Sequence, residues 1–202
     1  MVATVEPGAQ ADVHARLQMA PPFHLPQDGI AGHQVFIGPD HVAFVFWGAD
    51  PEDALVRLSG HADVRTRVSQ AIAGLTMPRK LEHRFDWSDP DVETRETRRA
   101  VAIIARGTDP RPDPDDGRMR GLVAGLTPGL SRMRLFADSD TALVTVERTA
   151  GVDGPQLLSL DSLGDVVPVV PLRPLEVLEQ MYWFEGEDRM SPQQPTGILR
   201  ET

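Results

Sequence analysis

Two stretches of the chain carry runs rich in β-branched and aromatic residues on either side of a short polar turn, the pattern of paired strands. The first is Gly29–Trp47, GIAGHQVFIGPDHVAFVFW, in which HQVFI and HVAFVFW flank Gly38-Pro39-Asp40. The second is Gly129–Glu147, GLSRMRLFADSDTALVTVE, in which RMRLF and TALVTVE flank Ala137-Asp138-Ser139-Asp140. Each reads as a hairpin with a turn of residues that favour tight bends. Behind the first hairpin, Asp50-Pro51-Glu52-Asp53 combines a capping side chain, a proline in the first turn and early acidic residues, which predicts a helix start. Leu55, Leu58, Val64, Val68, Ile72 and Leu75 then recur at helical spacing, with a break at Ser59-Gly60. Pro78 ends that segment, and KLEHRFDW returns to a strand pattern.

The hairpins align without a gap at an offset of 100 residues, pairing Gly29 with Gly129, Phe36 with Phe136 and Asp40 with Asp140. A second match at an offset of 97 pairs Leu81, Glu82 and Phe85 of LEHRFDW with Leu178, Glu179 and Tyr182 of LEQMYWF. Repeats of this length have the size of small domains rather than solenoid units. Ahead of each hairpin lies a strand and a helix: Val2–Val5 and Ala9–Met19 in the first half, Ala100–Ala105 and Arg118–Leu126 in the second. A broken helix over Pro155–Leu163 follows the second hairpin. Each half therefore reads β-α-β-β-α-β, a ferredoxin-like unit with one uncovered sheet face. The expected fold class is α+β: two tandem ferredoxin-like units packed sheet to sheet as an intramolecular α/β barrel. Residues 1–90 form the first unit, 91–99 a linker within the charged join Ser88–Arg99, 100–190 the second unit and 191–202 a flexible tail.

Composition narrows the function. The 202 residues carry 20 Lys+Arg against 30 Asp+Glu, a formal charge of −10, which argues against nucleic acid or an anionic membrane as partner. There is no cysteine, so disulfides, thiolate metal sites and cysteine nucleophiles are excluded. No apolar run has the length of a membrane span. The opening MVATVEPGAQADVHARLQ lacks a basic stretch followed by an apolar one, so no secretory leader and a cytoplasmic location are expected. Nucleotide-binding, zinc-protease and serine-hydrolase motifs are missing. DPRPDPDD (Asp109–Asp116) lacks the register of a calcium loop and reads as a flexible acidic loop. No metal or cofactor is expected.

The segment Arg132–Glu147 resembles the second and third strands of small polyketide cyclases of the tetracenomycin type, members of the dimeric α/β-barrel superfamily. Arg132, Leu135, Phe136, Asp140 at the turn and Glu147 closing the strand carry the likeness. In the first half, Phe36, Asp40 and HADVRTRVSQAIAGLTMP (His61–Pro78) resemble the same family, but Trp47 stands where the strand-closing Glu is expected. The resemblance implies the barrel of two ferredoxin-like units, here fused in one chain as a monomer or weak homodimer, and a cyclase activity.

Candidate chemistry falls on the strands. By simple alternation, His83 shares a face with Leu81, Phe85 and Trp87, and His33 shares one with Val35 and Ile37. A histidine on such a face is a general acid or base if it points into a cavity, and a satisfied core residue otherwise. His83 is the first catalytic candidate, expected to be partly desolvated, and His33 the second. Their repeat equivalents are Gln180 and Met133, so the first half would hold the catalytic site. Glu82 and Glu179 are either a converging carboxylate pair or two solvated side chains, the latter being the more ordinary. Trp47, Phe44, Phe85, Trp87 and Tyr182 could wall a cavity for a flat ligand, or simply fill the core. Arg132 and Arg134 make one strand face basic; they would hold a phenolate or carboxylate, or mark a charged edge strand.

Three functions are open on this reading. The first is a cofactor-independent cyclase acting by proton transfer on a small aromatic or polyketide ligand. The second is a cofactor-free oxygenase or a haem-binding barrel with a strand histidine on the iron. The third is a non-catalytic small-ligand-binding protein.

Overall fold

A computed structural model describes residues 1–18, 29–88, 98–106, 130–149 and 173–185. Within them run β1 (Val2–Thr4), α1 (Gln10–Leu17), β2 (Ile30–Ile37), β3 (His41–Gly48), α2 (Pro51–Gly60), α3 (Ala62–Ala71), β4 (Glu82–Ser88), β5 (Arg98–Arg106), β6 (Leu130–Ala137), β7 (Thr141–Thr149) and β8 (Arg173–Glu185). The class is α+β with antiparallel strand pairing. The expected helices at Arg118–Leu126 and Pro155–Leu163, the loop Asp109–Asp116 and the tail 191–202 lie outside the described residues.

The chain forms two compact units, one of Ala3–Pro78 with Gln180–Thr202, the other of Met1–Val2 with Arg79–Glu179. They do not fall on the repeat boundary expected near residue 90.

In the Ala3–Pro78 unit the strand order is β1-β3-β2, with β8 next to β2. Gly38 N–H donates to the His41 carbonyl to close the β2–β3 turn. Helix α2 begins where the sequence predicts: Asp50 accepts from the Asp53 N–H at 3.1 Å, and Pro51 opens the first turn. The helix runs through Ser59-Gly60, where a break is expected, and the separation from α3 falls at His61, whose backbone is extended. Ala54 and Leu58 of α2 are buried against Ile30, with Phe46 and Val64 alongside. Val13 of α1 is buried with Ala3, Val5, Val35, Val42 and Leu75, while Ile37, Phe44 and Ile72 pack around them. Gly74 has φ +82°, and a Cβ there would lie 2.9 Å from the Ala9 Cβ and 3.2 Å from the Val13 Cγ2. The close seat of α1 on this turn therefore requires glycine.

In the Arg79–Glu179 unit the order is β8-β5-β7-β6-β4. Residues 173–179 of β8 belong here and 180–185 to the other unit. Strand β4 comes from the first half of the sequence but pairs antiparallel with β6 of the second, from Glu82↔Ala137 to Ser88↔Arg132. Phe85 and Trp87 of β4 are buried and lie in register with Leu135 and Met133, so the join is apolar as well as hydrogen-bonded. Strand exchange of this kind moves the unit boundary away from the middle of the sequence.

The hairpins β2–β3 and β6–β7 share their pairing. Gly32↔Trp47, Gln34↔Val45 and Phe36↔Ala43 correspond to Arg132↔Glu147, Arg134↔Thr145 and Phe136↔Leu143. Each hairpin carries its register shift at the same place, between Ile30 and Gly32 or between Leu130 and Arg132. The β6–β7 turn closes as the first one does, with Asp138 N–H donating to the Thr141 carbonyl. The two hairpins thus share a bulge and a turn at an offset of 100.

Candidate functional site

Alternation along β6 separates Arg132, Arg134 and Phe136 from Met133 and Leu135. Register carries the first face across the sheet. Ser88 and Asp86 of β4 stand opposite Arg132 and Arg134 on one side, and Glu147 and Thr145 of β7 on the other. Beyond β7 the same face continues through Ala100 and Ala102 of β5, and then Leu178 of β8.

Four charged side chains join on this face. Arg132 Nε donates to Asp86 Oδ1 at 3.0 Å and its Nη2 to Asp86 Oδ2 at 2.6 Å, a two-pronged guanidinium–carboxylate pair. Arg134 Nη2 lies 3.1 Å from Glu147 Oε1, and its Nε 3.9 Å from Asp86 Oδ2. The first pair is partly open, whereas Arg134 and Glu147 are 3% and 1% exposed. Removing such a pair from water costs several kcal/mol per ion, recovered only through close geometry and further hydrogen bonds. Thr145, between Arg134 and Ala102, is 1% exposed, and its hydroxyl has no partner among the described residues.

Several sequence expectations change. His83 was expected on the face of Phe85 and Trp87, partly desolvated. A bulge between His83 and Phe85 inserts Arg84 as an extra residue and reverses the alternation. His83 consequently lies opposite Phe136, on the same face as the charged cluster; its ring centroid is 5.3 Å from that of Phe136, and the residue is exposed. His33 does share a face with Val35 and Ile37, but this is the face that α1 and α2 help bury. The ring stacks on Phe46 at 6.0 Å, and burial pushes its pKa down to about 4. An imidazole enclosed in that way fits a core role and leaves no open side for a haem iron.

The aromatic candidates fall in different surroundings. Phe44 belongs to the core beside α1. Phe85 and Trp87 are buried on the sheet face opposite Arg132. Trp47 is half-buried in the other unit, and the side chain of Tyr182 lies outside the described residues. Glu82 and Glu179 are both exposed, Glu82 pairing with Arg84 at 2.7 Å. The edge-strand reading of Arg132 and Arg134 is overturned, since β6 lies between β7 and β4. Asp86 and Thr145 were not singled out. The signal for Asp86 is distant in sequence from its arginines and appears only once β4 pairs with β6. That for Thr145 is the contrast with Val45 at the equivalent position.

Among the described residues, no three or more His, Asp or Glu side chains gather as a metal site, and no helix is long and apolar enough to cross a membrane. No protein-family model and no curated protein matches the chain. Among solved structures, the chain is similar to that of a candidate monooxygenase from Lactobacillus acidophilus NCFM. The likeness has 9% identity over 90% of this chain and 91% of that one, with a TM-score of 0.47.

Proposed function

We propose that the chain binds a small aromatic or polyketide-type ligand on the sheet face bearing Asp86, Arg132, Arg134, Thr145 and Glu147, and moves a proton on it without a cofactor, as a tetracenomycin-type cyclase would. The observation that carries this reading is the buried Arg134–Glu147 pair. The equivalent positions of the first hairpin, Gln34 and Trp47, show that this backbone needs no ion pair there. Buried charge that the fold does not require points to a site.

The roles follow from chemistry. Glu147 takes the proton from a carbon next to a carbonyl, and Arg134 faces the enolate oxygen on which the charge then rests. The proton returns to oxygen or carbon as the bond rearrangement ends. Exposed His83, on the same face, exchanges protons with water. Arg132 and Glu147 are also two of the positions in which the chain resembles these cyclases. In the same reading, the two halves are diverged copies of one ferredoxin-like unit, which the shared register of the two hairpins supports.

Deuterium exchange at C2 of α-tetralone in heavy water near neutral pH, followed by NMR, tests the activity. The protein is expected to raise the exchange rate above that of buffer. Glu147→Gln should abolish the increase, and His83→Gln should reduce it in a protein of unchanged fold. Binding of α-tetralone without exchange would leave a non-catalytic ligand-binding protein. The absence of both binding and exchange would overturn the reading.

A further inference from the structure

We infer that the Thr145 hydroxyl is the ligand contact by which this face selects a neutral carbonyl- or hydroxyl-bearing ligand over its carboxylate counterpart. The inference rests on the ligand-face reading above and adds to it a contact and a preference.

Thr145 is buried at 1% exposure, and its Oγ1 has no hydrogen-bond partner among the described residues. A buried hydroxyl left in that state costs free energy, and native structures hold few of them. The fold does not demand this one. Val45 occupies the equivalent register position in the first hairpin, opposite Gln34 as Thr145 is opposite Arg134, and is itself buried. Valine has nearly the shape of threonine without the oxygen, so the hydroxyl is what distinguishes the second hairpin at this point. Its neighbours also suit a ligand. Arg134 stands opposite on β6, while Ala102 stands opposite on β5 and carries only a methyl group.

The charge of the cluster sets the preference. Arg132 and Arg134 are matched by Asp86 and Glu147 at contact distances. An entering carboxylate would lose its water and meet no uncompensated positive charge. A neutral carbonyl oxygen or phenolic hydroxyl needs only a donor or an acceptor, and Thr145 Oγ1 serves as either.

Calorimetric titration of the full chain with 2-naphthol and with 2-naphthoate tests this, using Thr145→Val and Thr145→Ser. Wild type is expected to bind 2-naphthol more tightly than 2-naphthoate. Thr145→Val should weaken 2-naphthol binding about tenfold, the scale of one net hydrogen bond, while Thr145→Ser restores it. The valine variant should also melt at the same temperature or higher, because it removes a buried hydroxyl without a partner. A hydroxyl that served the fold would instead lower the melting temperature when replaced. Unchanged 2-naphthol binding by Thr145→Val, or tighter binding of 2-naphthoate by wild type, would overturn the inference and leave the ligand face standing. If wild type binds neither probe, the ligand-face reading falls with it.

Discussion

The two hairpins have the same backbone and different chemistry. Both bend at the same bulge and close with the same turn bond, and both bury the face that holds positions 34 and 45 or 134 and 145. On that face the first hairpin has Gly32, Gln34, Val45 and Trp47, and the second has Arg132, Arg134, Thr145 and Glu147. The opposite faces differ in the reverse sense: His33 is enclosed where the second hairpin has Met133. Register is therefore set by alternation and turn geometry, which tolerate either set of side chains. A polar residue buried in one hairpin and replaced by an apolar one in the other is not there to make the hairpin.

The largest test of this comparison breaks the buried pair. Glu147→Leu alone removes the nearest carboxylate from the buried Arg134 guanidinium and should destabilise the protein by about 3–5 kcal/mol in urea unfolding. Arg134→Met combined with Glu147→Leu should recover most of that loss, since an apolar pair can replace a buried ion pair at little cost. A double variant as unstable as the single one would mean that the second hairpin depends on its charges in a way the first does not.

The next effect is one of pH. Burial lowers the His33 pKa from 6.5 to about 4, so as pH falls the unfolded chain takes up the proton first. Stability from this residue is complete above about pH 6.5 and is lost between there and pH 4, by up to roughly 3 kcal/mol. His33→Met, which imports the residue of the second hairpin, should flatten the pH dependence of unfolding across that window. An unchanged slope would place its origin in other groups.

The smallest effect concerns the more open pair. Asp86→Asn removes the charge that meets Arg132 between β4 and β6. Both side chains are partly exposed, so the loss should be no more than about 1 kcal/mol by urea unfolding. A larger loss would show that this contact, beyond the apolar pairing of Phe85 and Trp87, holds the exchanged strand in place.

Local chemistry made much of this legible in the chain. The hairpins and the start of α2 follow from runs of β-branched and aromatic residues, turn residues and the Asp50-Pro51 cap, all of which act within a few residues. Arg132 and Arg134 were visible as a basic strand face for the same reason. Tertiary pairing decided the rest. The bulge at Arg84 reversed the face of His83, because one extra residue in a strand exchanges its two sides. The recruitment of β4 by β6 brought Asp86 to its arginines, and the place of β6 inside the sheet turned a supposed charged edge into a buried cluster. Strand partners distant in sequence are chosen by the free energy of the assembled sheet, and no local pattern along the chain encodes that choice.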